Sequence, residues 1–262
     1  MKLFDSHAHY DDPHFDGVRD DVLREVHACC VARITNIGSS LATSRTTLAL
    51  ADRFPFVYAA VGVHPSDAAD DMQNSGWLDE IAAMTKHAKV VAIGEIGLDY
   101  HYGKDDTAEQ AACFRAQMAL ARDLHLPVVI HDREAHEDTL RVMAEYPEVT
   151  GVVHSFSGSF EMAKEVVKRG YYLSVNGVLT FKNARKIVEV VERLDEIGGR
   201  DRLLLETDCP YLAPVPHRGE TNRSDYMIYT AEKIGELLHM SAEEAAALTY
   251  RNACRFYGLP EE

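Results

Sequence analysis

Four histidines and two carboxylates stand where short apolar runs of this chain end. His7 and His9 close the first run, Glu95 the fourth, His131 the fifth and His154 the sixth, and Asp208 follows the eighth. The His7-x-His9 spacing puts two imidazoles on one side of an extended strand, because side chains repeat every second residue there. Six such groups gathered without a cation would be costly, through carboxylate repulsion and imidazole desolvation. The set therefore points to a metal centre. Six ligands exceed the four of one tetrahedral zinc and suffice for two divalent ions that share a carboxylate or a water. Two ions about 3.5–4 Å apart form the usual clamp for displacement at phosphorus, one activating water and the other stabilising the leaving oxygen. Asp208 is expected to ligate and to orient or deprotonate that water. Glu206, two residues earlier, is a third candidate carboxylate, either as ligand and catalytic group or as a partner behind the ligands. Imidazoles suit Zn²⁺ or Mn²⁺, while carboxylates and phosphoryl chemistry admit Mg²⁺, so the donor set leaves all three open.

Weaker candidates surround this set. His64, followed by Pro65, falls on the same rim and suits a phosphate contact as well as ligation. Arg133 and the segment PHRGETN at 216–222 offer cations and amides for substrate phosphates. Tyr100, His101, Tyr102 and Phe156 fall in rim loops where aromatic rings can stack on bases. The histidines at 14, 27, 87, 125, 136 and 239 lie on helical segments or turns and read as structural.

What must position these groups is a repeating pattern. Apolar runs at 3–6, 33–37, 57–63, 90–96, 127–130, 151–154, 171–175 and 203–206 are rich in Val, Ile and Leu without strict alternation. That is the signature of parallel strands covered on both faces. Between them lie segments of helical spacing, such as Phe114, Met118 and Ala121, and two more follow the last run, at 224–239 and 241–257. Ser241 and Glu244 form a capping-box pattern. Eight βα units in 262 residues predict one α/β domain, a (β/α)₈ barrel spanning 1–262. In such barrels the active site occupies the carboxyl ends of the strands, where the six candidate ligands fall. An open dinucleotide-binding sheet is disfavoured, since no G-x-G-x-x-G or Walker loop follows any run.

With 27 basic and 42 acidic residues the net charge is −15, which argues against a groove that grips duplex DNA through many phosphates. No apolar run is long enough to span a membrane. The start turns polar after four residues, which predicts no signal peptide and a cytoplasmic protein. The five cysteines form no Cys-x-x-Cys pattern and read as buried thiols in a reducing compartment.

With these residues in view, the chain resembles the TatD-type metal-dependent deoxyribonucleases of the amidohydrolase-like barrels, almost end to end. The resemblance is carried by FDSHAHYD at 4–11, VGVHP at 61–65, AIGEIGLDYH at 92–101, LPVVIHDREA at 126–135 and HSFSGS at 154–159. NGVLTFKNA at 176–184, LLLETDCPYL at 203–212, PHRGETN at 216–222 and Asn252-x-x-x-Phe256 complete it. It implies metal ligands at His7, His9, Glu95, His131, His154 and Asp208, a rim histidine at His64, and a phosphate-contacting loop at Arg218 with Asn222. It implies metal-dependent DNA hydrolysis, often 3′→5′ on single strands or at repair-type 3′ ends. Some relatives instead hydrolyse aminoacyl-tRNA esters, so an ester or amide hydrolase on the same site is the alternative. Two positions depart from the family pattern: Asp132 stands where a small polar residue is common, and Tyr10 where Leu is usual.

Overall fold

The computed structural model describes residues 1–101, 103 and 106–261. Eight parallel strands follow one another in chain order: β1 (Leu3–Ala8), β2 (Val31–Ile37), β3 (Val57–Val61), β4 (Val90–Asp99), β5 (Val128–Arg133), β6 (Gly151–Val153), β7 (Tyr172–Val175) and β8 (Leu203–Leu205). Between the strands run α1 (Arg19–Cys29), α2 (Leu41–Arg53), α3 (Ala68–Asp71), α4 (Trp77–Met84), α5 (Thr107–Leu124), α6 (His136–Glu145), α7 (Phe160–Lys168) and α8 (Arg185–Glu192). After β8 come α9 (Met227–Leu238) and α10 (Ala242–Phe256). The strands are buried almost throughout, so their continuous apolar runs meet protein on both faces.

The sheet comes round on itself where β1 approaches β8. Ala8 bridges Cys209, Asp208 N–H donates to the His7 carbonyl and His9 N–H donates to the Cys209 carbonyl, each hydrogen bond 2.9 Å. This seam gives the (β/α)₈ barrel and sets Asp208 beside His7 and His9.

One end of the barrel is stoppered. Tyr250, Ala253, Cys254, Phe256 and Tyr257 of α10 and its end pack with the inward-facing Phe4, Val129, Val152 and Leu204. Tyr257 Oη donates to the Ser6 carbonyl at 2.6 Å. The predicted box starts α10: Glu244 N–H donates to Ser241 Oγ at 3.2 Å, and Ser241 N–H donates to Glu244 Oε2 at 2.8 Å.

Two strands run farther than their apolar stretches. β4 continues to Asp99 and β5 to Arg133, paired from Ile96↔Ile130 to Asp99↔Arg133, so Glu95 and His131 lie inside strands rather than at their ends. Gly97 permits this: at φ 145° it passes so near β5 that a Cβ would sit 2.0 Å from the His131 carbonyl oxygen. The register slips between Ile93 and Ile96, an irregularity of the kind that re-aims a side chain next to a site. β3, β6 and β8 stop sooner, leaving His64, His154 and Asp208 on the loops just beyond.

Cys113, Cys209 and Cys254 are buried thiols as expected, but Cys29 is exposed and Cys30 half-buried, because both lie at the outer end of α1. Among the described residues no helix is long and apolar enough to cross a membrane.

Candidate metal centre

The open end of the barrel holds a cavity of about 1060 Å³, walled in part by His9, His64, Glu95, His131, His154 and Asp208. Glu95 stands at its centre with its two oxygens turned to different partners. Oε1 lies 2.7 Å from His154 Nε2 and 2.8 Å from His131 Nδ1, while Oε2 lies 3.6 Å from His7 Nε2 and 3.7 Å from His9 Nε2. Asp208 Oδ1 completes the second group, 3.6 Å from His7 Nε2 and 3.5 Å from His9 Nε2. Asp208 holds this position at φ 57°, a left-handed conformation uncommon outside glycine and frequent where a site stores backbone strain.

The ring nitrogens that face away from the cavity decide which nitrogen can ligate. His9 Nδ1–H donates to the Ile37 carbonyl at 3.0 Å, so Nε2 is the nitrogen turned into the cavity. His131 Nε2–H donates to Asp99 Oδ2 at 3.0 Å, which turns the Nδ1 lone pair towards Glu95. Inside the cavity His7 Nε2 and His9 Nε2 approach to 3.0 Å, and His131 Nδ1 and His154 Nε2 to 3.2 Å. Lone pairs and carboxylate oxygens that converge so closely repel unless positive charge lies among them. The donor set of imidazoles and carboxylates therefore fits divalent cations, with candidate groups among the described residues at His7, His9 and Glu95, at His7, His154 and Asp208, and at His64, Glu95 and His131.

The electrostatics agree. Burial opposes ionisation of Glu95, but His154 and His131 overcome it and hold the carboxyl well below its usual range. Asp208 is likewise held low, against its burial, by His9, His7 and His154. Burial works against a proton on His9 as well, yet Asp208, Glu95 and Asp11 raise it to about 9, so without a cation a proton occupies Nε2 and a binding cation would displace it. His64 differs from these. Burial pushes it down to about 3 with only partial opposition from Glu95, and its Nδ1 accepts from Ser66 N–H at 3.1 Å. A proton on Nε2, 3.7 Å from Glu95 Oε1, would make His64 a neutral hydrogen-bond donor into the cavity, and with Glu95 and His131 it also forms a group that could hold a cation.

Other expectations need correcting. Of the two roles open to Glu206 it takes that of a partner behind the candidate ligands, not that of a ligand: buried behind His154, it accepts from Ser155 N–H at 2.7 Å, from Asn176 Nδ2 at 3.3 Å and from Ser174 Oγ. Its Oε1 lies 3.7 Å from His154 Nδ1, too long for a hydrogen bond, so it backs the imidazole electrostatically. Asn222 is fully buried, with Nδ2 donating to the carbonyls of Thr207 (3.0 Å) and Tyr211 (2.7 Å). It ties down the loop after β8 and offers nothing to a phosphate. Arg218 is exposed, its guanidinium 4.0 Å over the Phe181 ring and outside the cavity wall, whereas Arg133 is part of that wall. Tyr100 is turned away: its Oη donates to Asp138 at 2.9 Å, and burial together with Asp138 raises it to about 12. Phe156 is buried and lines not this cavity but a second one beside it, His101 pairs with Glu134 at 2.8 Å, and Tyr102 lies outside the described residues. Of the two departures from the family pattern, Tyr10 is a core residue sharing its hydroxyl with Ser224 at 2.7 Å, while Asp132 binds His136 Nδ1 at 2.8 Å.

Asp99 is the functional residue that sequence reasoning missed. Only the signal of an acid four residues after Glu95 on a continuing strand could have found it, and the apolar pattern had ended by then. Asp99→Asn is expected to weaken divalent-ion binding about 10–100-fold, since the partner that sets the His131 tautomer is lost. Metal titration by calorimetry checks this, and unchanged affinity would remove Asp99 from the site.

Comparison with known proteins gives a consistent result. The family model for TatD related DNases matches residues 4–258. YabD of Bacillus subtilis, an uncharacterized metal-dependent hydrolase, is 43% identical over 98% of this chain and 99% of its own. TatD of Mycobacterium tuberculosis, also an uncharacterized metal-dependent hydrolase, is 35% identical over 98% of each chain. The crystal structure of YjjV, a TatD homolog from Escherichia coli, matches with a TM-score of 0.90 at 30% identity, covering 98% of each chain.

Proposed function

Because the chain belongs to the TatD family of metal-dependent hydrolases, we propose that it cleaves phosphodiester bonds in DNA, on single strands or at strand ends. The observation that carries this reading is Glu95, a buried carboxylate whose two oxygens face two separate imidazole pairs. That arrangement suits a pair of divalent ions sharing one carboxylate. His7, His9, Asp208 and Glu95 Oε2 would hold one, and His131, His154 and Glu95 Oε1 the other. When bound, such ions supply electrophilic activation of water and neutralise charge at phosphorus.

The chain's own groups do the rest. Asp208, a carboxylate at the cavity wall, orients the attacking water by accepting its hydrogen bond. His64 Nε2–H donates to a phosphoryl oxygen, and Arg133 in the wall offers its guanidinium to the same charge. Because α10 stoppers the far end, the cavity is a blind pit. Such a pit admits a strand end or a splayed single strand and excludes threading, and the net charge of −15 disfavours a long duplex footprint.

The test is digestion of 3′-labelled single-stranded DNA by protein reloaded with Mg²⁺, Mn²⁺ or Zn²⁺, beside an aminoacyl-tRNA ester. Stepwise shortening from the 3′ end that stops on chelation is the expected result. Ester hydrolysis without DNA cleavage would replace this reading with the alternative.

A further inference from the structure

Beside the metal cavity a second one, of about 310 Å³, opens between the loops after β6 and β7 and the start of α8. It shares Ser155, Ser157 and Val178 with the metal cavity, so the two lie side by side. Its volume falls at the lower end of the range of small-molecule sites, about 300–1,000 Å³. The inner wall is apolar, with Phe156 and Leu179 buried in it, and the outer rim carries the exposed Arg185 and Lys186.

Charge sets this rim apart from the rest of a strongly acidic protein. Elsewhere the arginines are largely tied to carboxylates, as Arg115 is to Glu145 and Arg193 to Glu189 and Glu196. Lys182, Arg185 and Lys186 have no such partner among the described residues, and the first turn of α8 contains no acid. Away from Arg133, the other sides of the metal cavity carry acids: Asp11 and Asp12 line it next to β1, and Asp99 and Asp106 at and beyond the end of β4. A phosphate chain leaving the metal centre thus meets negative charge on those sides and unpaired positive charge over α8. The inner wall and the cationic rim also match the two halves of a nucleotide, a flat apolar base and an anionic phosphate.

We infer that this side groove binds the nucleotide next to the scissile phosphodiester, with its base against the Phe156–Leu179 wall and its phosphate at Arg185 and Lys186. The inference rests on the phosphodiesterase reading and adds to it a strand path and the residues that select a nucleic-acid chain over a small phosphodiester.

The test compares two substrates of the metal-loaded enzyme: a fluorescent pentathymidylate single strand, and bis(p-nitrophenyl) phosphate, which carries no second phosphate to meet Arg185 and Lys186. The double variant Arg185→Ala/Lys186→Ala removes the rim charge from exposed positions. Ala184→Trp instead fills the groove by bulk. For the double variant, KM on the oligonucleotide is expected to rise about tenfold at low salt, with kcat within twofold. The slope of log KM against log salt should flatten by about 0.7, the value for one lost phosphate contact on a single strand. Ala184→Trp should raise the same KM without changing that slope. Hydrolysis of bis(p-nitrophenyl) phosphate should stay within twofold in both. If both variants keep the wild-type oligonucleotide KM, or if the two substrates lose activity equally, the groove assignment is overturned while the phosphodiesterase reading stands. If the wild type fails to cleave the oligonucleotide with any of the three metals, that reading falls, and the groove assignment falls with it.

Discussion

Glu95→Gln is expected to lower hydrolysis by roughly 10³–10⁴-fold, equivalent to about 4–5 kcal/mol of barrier, and to bring bound metal from about two ions per chain to below one. The size follows from the position of this one side chain. Its two oxygens serve both imidazole pairs, so an amide in its place presents one acceptor and one donor to sites that each need an anion. The NH₂ half would point its hydrogens into a cluster already supplied with positive charge. Elemental analysis of dialysed protein and single-turnover cleavage check the two parts separately. The barrel core and the α10 stopper do not involve Glu95, so cooperative thermal unfolding should persist and rule out a folding artefact. Full activity in the glutamine variant would end the shared-carboxylate account.

Asp208→Asn should behave differently, and the contrast is informative. Asp208 lies closest to His7 and His9, while His131 and His154 keep their oxygen of Glu95. The variant is therefore expected to lose about one ion rather than both. kcat should fall by about 10²–10⁴-fold, as for removal of a group that orients a proton in flight. Excess metal should partly restore occupancy without restoring kcat, because a neutral amide does not replace the carboxylate that holds the water. If both variants lost the same amount of metal, the site would hold one ion held jointly rather than two.

The candidate ligands were legible because they combine two regularities that survive without coordinates. The apolar runs give strands, and βα alternation forces a parallel sheet whose carboxyl ends share one side. His7, His9, His131, His154 and Asp208 could be placed at that side from the runs alone, with no knowledge of their mutual distances. Glu95 was chosen on the same ground although it lies inside a strand, and it reaches the cavity at the register slip between Ile93 and Ile96.

The groups around the ligands were not legible, for a different reason. Glu206 and Asn222 have the residue types of a working site and sit next to it in the chain, yet each spends its polar atoms on neighbours and is buried. Residue type shows what a side chain can bind, while hydrogen-bond saturation depends on partners distant in sequence, such as Ser174 for Glu206 and Thr207 for Asn222. Asp99 was missed for the converse reason. Its partner His131 comes from the next strand, and the pairing that joins them depends on Gly97 letting β4 pass close to β5.

The sequence by itself thus determined the barrel and the six donors, since periodicity and residue type are local properties that the chain carries wherever it folds. Only the tertiary structure decided how they are used. The β1–β8 seam put Asp208 against His7 and His9, the two oxygens of Glu95 divided the imidazoles into pairs, and the packing behind each ring set the nitrogen it offers. These are properties of distance and direction in a low-dielectric cavity, where shifts of an ångström change electrostatic energies by kilocalories, and no spacing along the chain encodes them.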